Sequence, residues 1–215
     1  MQEFKNITHT FEPVFDENSK ILILGTFPSV KSRENHFYYG HPQNRFWKVM
    51  AAVTDSPLPQ SVEEKKAFLL QNRIAVWDVI HSCSIEGSSD SSITDVVPND
   101  FTELFARTHL LAVAANGTKA YELYQKYVYP VTKRGIIKMP STSPANAAWN
   151  LARLTAADEK PPSRISHRPF ETDCLETGID INFLMKFIGN YCAEFPANSQ
   201  IINIGTKNII TKQRF

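Results

Sequence analysis

The densest concentration of chemically useful side chains runs from Phe37 to Trp47 and reads Phe37-Tyr38-Tyr39-Gly40-His41-Pro42-Gln43-Asn44-Arg45-Phe46-Trp47. Aromatic rings beside a turn can stack on a flat heterocycle, each contact contributing on the order of 1–3 kcal/mol. A carboxamide at the rim of such a pocket can hold a water molecule. Phe46 and Trp47 sit at the start of a helical pattern and are expected to face the core, which leaves Tyr38 and Tyr39 as the candidate platforms. His36 and His41 have the proton affinity to protonate a leaving group near neutral pH, although a loop histidine is more often a surface or structural residue.

These groups need a scaffold, and four short apolar runs supply one: Lys20 to Leu24, Ile74 to Val79, His109 to Ala115 and Gly135 to Met139. Nearly continuous Ile, Val, Leu and Ala is expected of strands buried on both faces. Helical patterns lie between them at Asn44 to Thr54, Val62 to Asn72, Asp100 to Ala106 and Thr118 to Tyr127, and another is expected from Pro144 to about Leu154. Ser61 three residues before Glu64, and Asp100 three before Glu103, fit a capping-box start. Strand alternating with helix predicts an α/β fold, a three-layer α/β/α sandwich around a mostly parallel four-stranded sheet.

In an open parallel sheet, ligands bind beyond the carboxyl ends of the strands. There the chain places Gly25-Thr26-Phe27-Pro28-Ser29, then Asp78 with His81-Ser82-Cys83, then Asn116-Gly117, then Pro140-Ser141-Thr142-Ser143-Pro144-Ala145-Asn146. Small residues, amides and hydroxyls with few charges suit a neutral heterocycle read through its hydrogen-bonding edge. Gly, Ser and Pro loops also let backbone N–H groups approach a phosphate. The same residues are good turn formers, so it is their recurrence after four successive strands that carries weight. Asp78 is a conceivable base, though a strand-end carboxylate often caps the turn that follows.

Composition bounds the rest. With 42% hydrophobic and 21% charged residues over 215 positions, the chain reads as soluble and globular, with room for one sizeable core. No run approaches the roughly 18 apolar residues that span a bilayer, and the N-terminus lacks a basic region followed by an apolar stretch, so no export signal is expected. Cys83, Cys174 and Cys192 fit neither a disulfide framework nor a paired-cysteine metal site, which favours a reducing intracellular compartment, cytoplasmic or nuclear according to the type of cell. The net charge of +1 excludes a strongly basic nucleic-acid coat and leaves room for an enzyme with a local basic patch and a selective pocket. The expected division is a domain over residues 1–154 and a C-terminal extension over 155–215, where a helix at Ile181 to Tyr191 and a weak strand at Ile201 to Ile204 are read.

Taken in order, the motifs Gly25 to Ser29, Tyr38 to Trp47, Val76-Trp77-Asp78-Val79-Ile80, Pro98-Asn99-Asp100-Phe101, Asn116-Gly117 and Pro140 to Asn146 resemble the uracil-DNA glycosylase superfamily, and within it the hypoxanthine-DNA (deoxyinosine) glycosylase branch. The resemblance spans roughly Lys20 to Asn150. It implies a monomeric enzyme that cuts the N-glycosidic bond of deaminated bases in DNA, hypoxanthine foremost and uracil second, with no metal or cofactor. Relatives with an Asp or Asn just before the Pro of the first loop use it to orient water; here that position is Phe27, and the resemblance assigns catalysis to Asn44 instead. It further implies that Asn116 reads the base, that Tyr39 or Tyr38 stacks on it, and that Gly25 and Phe27 line its pocket. Ser29, His41, Ser141, Ser143 and Pro144 would grip the DNA strand, with Ala145 and Asn146 near the gap left by a flipped nucleotide.

Besides a glycosylase acting mainly on uracil, two other readings stay open. A thiol hydrolase built on His81 and Cys83 lacks a third orienting group, and no Gly-x-Ser-x-Gly elbow occurs. A DNA-binding module of the same fold without catalysis is the second, because Phe27 replaces the strongest water-positioning residue of the wider superfamily.

Overall fold

A computed structural model describes residues 5–86 and 89–155. The strands β1 (Lys5–Thr8), β2 (Ile21–Gly25), β3 (Ile74–Asp78), β4 (Ile80–Ile85), β5 (Thr94–Pro98), β6 (Ala112–Asn116) and β7 (Ile137–Met139) are joined by helices α1 (Val30–Glu34), α2 (Phe46–Val53), α3 (Val62–Gln71), α4 (Thr102–Arg107), α5 (Thr118–Leu123), α6 (Tyr129–Thr132) and α7 (Leu151–Thr155). The expected extension beyond residue 155, with its helix at 181–191 and strand at 201–204, lies outside the described residues.

The four expected strands form one parallel sheet in the order β3-β2-β6-β7. Successive side chains of a strand point to opposite faces, and β2 shows it: Ile21 and Ile23 join one core cluster, Leu22 and Leu24 the other. The first cluster is closed by Phe46, Trp47, Val49 and Met50 of α2, by Phe68 and Leu69 of α3, and by Leu154 of α7. The second is closed by Leu104 of α4 and Ala120 and Leu123 of α5. Helices therefore cover both faces, as the alternation predicts.

A second sheet, antiparallel in the order β1-β4-β5, was not legible in advance. Only Val79 separates β3 from β4, so the apolar run reads as one strand, and the polar alternation of Ile80–Ile85 hides the next. Ile80, Cys83 and Ile85 pack this sheet onto the second cluster.

Several helix boundaries differ from expectation. The Ser61 capping box is present, with Glu64 N donating to Ser61 Oγ and Glu64 Oε2 accepting from Ser61 N. Asp100, by contrast, accepts only from Thr102 N, and α4 begins two residues later. Residues 144–150 do not continue into α7, because the Arg45 guanidinium takes the carbonyls of Ser143, Asn146 and Trp149 that a helix would need for its own ladder. The helical path begun at Thr118 runs on to Thr132 through a π-turn at Tyr124–Val128, just before Pro130, which has no N–H to donate.

Candidate active site

The carboxyl ends of the parallel strands open into a cleft of about 370 Å³, within the usual size range of small-molecule sites. Gly25 ends β2 and Thr26 to Ser29 follow it, Asp78 ends β3, Asn116 ends β6, and Ser141, Ser143 and Ala145 follow β7, so all four strand ends contribute to the wall. Tyr38, Tyr39 and Asn44 reach it from the segment that precedes α2.

Asn44 is held by a chain of hydrogen bonds whose direction two backbone N–H groups determine. Thr142 N donates to Asn116 Oδ1 at 2.9 Å, so the Asn116 amide nitrogen is the end that donates to Thr142 Oγ1, also at 2.9 Å. The Thr142 hydroxyl is then free to donate, and does so to Asn44 Oδ1 at 2.9 Å. Phe46 N, an unpaired donor of the first turn of α2, takes the other lone pair of that oxygen at 3.0 Å. Both acceptor sites of Asn44 Oδ1 are occupied, and its Nδ2 makes no hydrogen bond to any described residue. Asn44 therefore faces a ligand as a donor.

Asp78 forms the floor. It is 4% exposed, and its Oδ2 accepts from His9 Nε2 at 2.9 Å. It does not cap the turn after β3; Asn99 does that, donating to the carbonyls of Asp78 and Ile80. Gly25 pairs with Asp78 in the parallel register, and a Cβ at Gly25 would lie 2.2 Å from Asp78 Oδ1, so only glycine admits the carboxylate here. Tyr39 Oη lies 3.5 Å from the same Cβ position. This hydroxyl is buried and meets hydrogen-bond geometry with no described atom. Burial foremost, then the Asp78 charge, push its proton affinity well above that of an ordinary phenol, with the nearby Asn116 amide opposing slightly. Tyr39 also has φ 53°, a left-handed conformation that costs a bulky side chain roughly 1–2 kcal/mol and marks a position held by its surroundings.

The remaining expected residues divide by position. Phe27 lines the cleft with the Arg33 guanidinium 5.8 Å from its ring centroid. Ser29 lines it too, while its hydroxyl caps α1, a helix the sequence reading omitted. Tyr39 stacks on Phe46 at 3.7 Å and 15°, which commits one ring face. Tyr38 touches the cleft but is 2% exposed, with its hydroxyl donating to the Glu12 carbonyl, so it forms wall and has no open ring face to offer. His41 is not among the lining residues; its Nδ1 accepts from Gln43 N within the turn. His36 is exposed and also lies outside the lining, at φ 49°. Ser141 and Ser143 line the cleft, with Ser141 Oγ accepting from Ser143 N and Ser143 Oγ from Ala145 N. Pro144 and Ala145 form an exposed tip at the rim. Asn146 lies behind it, its amide donating to the Ser141 carbonyl at 2.9 Å.

Three contributors escaped the sequence reading. Thr142, 3% exposed, lies between the two serines that were noticed and is the one that joins Asn44 to Asn116. His9 lies 69 residues from its partner Asp78. Arg45 holds the Thr142, Ser143, Asn146 and Trp149 carbonyls at once, fastening the loop to the start of α2. Adjacency to Asn44 was its only signal. Register shifts between Ile80 and Ser84 separate Cys83 from His81, leaving His81 exposed and Cys83 buried, its thiol pushed up to about 11 by burial. No thiol relay forms there. Among the described residues no helix is long and apolar enough to cross a membrane, and no group of three or more His, Cys, Asp or Glu could hold a metal ion.

Known proteins resemble this chain in sequence and fold. The chain is 38% identical over 151 residues to a hypoxanthine DNA glycosylase of Methanosarcina acetivorans, covering 68% of this chain and 93% of that protein. It is 39% identical over 115 residues to a hypoxanthine DNA glycosylase of Methanosarcina barkeri, covering 52% of this chain and 72% of that one. The solution NMR structure of a Methanosarcina acetivorans protein provisionally named a uracil DNA glycosylase superposes with a TM-score of 0.59 at 37% identity, over 67% of this chain and 90% of that chain. A model of the uracil DNA glycosylase superfamily matches residues 12–160, and with the cleft at the ends of the parallel strands this establishes that the chain belongs to that superfamily.

Proposed function

We propose that this DNA glycosylase hydrolyses the N-glycosidic bond of deaminated bases, hypoxanthine foremost, with Asn44 as the residue that holds the attacking water. The observation that carries the reading is the locked Asn44 carboxamide, whose oxygen is spent on Thr142 and Phe46 and whose Nδ2 is left for a ligand. In the reaction the bond between C1′ and the base nitrogen breaks, its electron pair leaves with the base, and the sugar passes through an oxocarbenium-like state. A water held by an Asn44 N–H keeps a second lone pair for attack on C1′, and the proton it sheds passes through solvent to the departed base anion. A late, weakly nucleophilic attack needs position more than deprotonation, which suits a residue unable to take a proton. Contacts of Ser141, Ser143 and the Pro144–Ala145 tip with the strand would hold an extruded nucleotide.

The test uses labelled duplexes carrying inosine, uracil or xanthine, scored for alkali-labile breaks. Inosine is expected to be cut fastest. Asn44→Ala should slow single-turnover cleavage about 100- to 1,000-fold, the cost of removing one aligned donor from an active site. A protein that binds these duplexes and cuts none is a binding module. An Asn44→Ala protein with the wild-type rate refutes the assignment of Asn44.

A further inference from the structure

We propose that Asp78 and Tyr39 form a reader for the lactam edge of the extruded base, the Asp78 carboxylate accepting the ring N–H and the Tyr39 hydroxyl donating to the adjacent C=O. His9 is the positioning residue that holds Asp78. The inference rests on the glycosylase reading above and names what selects the base.

Three features point here. Asp78 Oδ1 makes no hydrogen bond to a described residue, although its partner oxygen is held by His9. Tyr39 Oη is buried without a partner, a state that native structures avoid unless the group has a ligand to meet. The two atoms converge beside Gly25, within 2.2 and 3.5 Å of one point, on the wall of the cleft. An unused acceptor beside an unused donor is complementary to a –NH–C(=O)– edge.

Deamination creates that edge. Adenine presents a bare ring nitrogen beside an amino group, so the carboxylate would meet a lone pair and the hydroxyl the amino hydrogens. Hypoxanthine presents N1–H beside C6=O, and uracil presents N3–H beside C4=O. One pair of residues thus separates hypoxanthine from adenine and uracil from cytosine, by leaving buried groups unpaired against the wrong partner. Guanine carries the same N1–H and C6=O, so the pair separates hypoxanthine from adenine and not from guanine.

The experiment measures kcat/KM of the full chain on duplexes with inosine, 1-methylinosine, which lacks the N–H, and unsubstituted purine, which lacks both the N–H and the C=O. Wild type should prefer inosine to either analogue by about tenfold or more. Asp78→Asn should lose about tenfold or more on inosine and bring inosine and 1-methylinosine within about threefold of each other. Tyr39→Phe removes only an unbonded oxygen and should fold as well as wild type; its loss should fall on inosine and spare unsubstituted purine. Affinity for an abasic-site duplex, which has no base to read, should stay within about twofold in both variants and reports their folding. If wild type cuts inosine and both folded variants keep its preference, or if Tyr39→Phe loses equally on inosine and purine, the reader is refuted while the glycosylase reading stands. If wild type cuts no deaminated base, both fall.

Discussion

Thr142→Val is the sharpest test of how the site is held. Valine keeps the shape of threonine and deletes the hydroxyl that accepts from Asn116 Nδ2 and donates to Asn44 Oδ1, both at 2.9 Å. Two hydrogen bonds at about 1 kcal/mol net each account for about 2 kcal/mol. Thr142 and Asn116 are both buried, so the Asn116 donor left unpaired adds up to about 2 kcal/mol more. The expected destabilisation is roughly 2–4 kcal/mol, a lowering of Tm by about 5–15 °C for a chain of this size. Asn44 keeps its bond from Phe46 N but loses the second anchor, and a displacement of the order of 1 Å at a reacting group costs about 100-fold. Single-turnover cleavage of an inosine duplex, well below the melting temperature, should therefore slow by roughly 10- to 100-fold. Thr142→Ser restores the hydroxyl and should restore most of the rate. A Thr142→Val protein that melts early yet cuts at the wild-type rate refutes the role of the relay in aiming Asn44. A serine variant as slow as the valine one shows that packing of the methyl group, rather than the hydroxyl, is what matters.

Further outcomes follow from the same geometry. Arg45→Ala frees the carbonyls of Thr142, Ser143, Asn146 and Trp149 and should weaken binding of an abasic-site duplex about tenfold by loosening the rim; unchanged affinity in fluorescence anisotropy would count against this. Cys83 is fully buried with its thiol raised to about 11, so the peptide that carries it should escape alkylation by iodoacetamide at pH 8, and Cys83→Ala should keep full glycosylase activity. Tyr39 titrates higher folded than unfolded, so its contribution to stability is complete below about pH 10 and falls by about 1.4 kcal/mol per pH unit above it; Tyr39→Phe should flatten that part of the Tm profile. The activity profile should show no loss between pH 8 and about pH 9.5 from ionisation of this phenol.

The parallel sheet was legible in the sequence, because strands buried on both faces are apolar throughout and runs such as Ile21 to Leu24 and Ala112 to Ala115 alternate with helical patterns. The sequence also pointed to the cleft, since in an open parallel sheet the carboxyl ends of the strands are where ligands bind. The Ser61–Glu64 box marked a helix start for the same reason of local geometry. What tertiary structure alone decided is which polar groups meet. Asn44 and Thr142 are 98 residues apart, and His9 and Asp78 are 69 apart, so no periodicity or local motif records either pair. Likewise the choice between Tyr38 and Tyr39, adjacent and alike in sequence, followed from one hydroxyl reaching the Glu12 carbonyl and the other bonding to no described residue. A hydrogen bond needs two partners at a fixed distance, and for a buried side chain the second partner is chosen by how the whole chain packs.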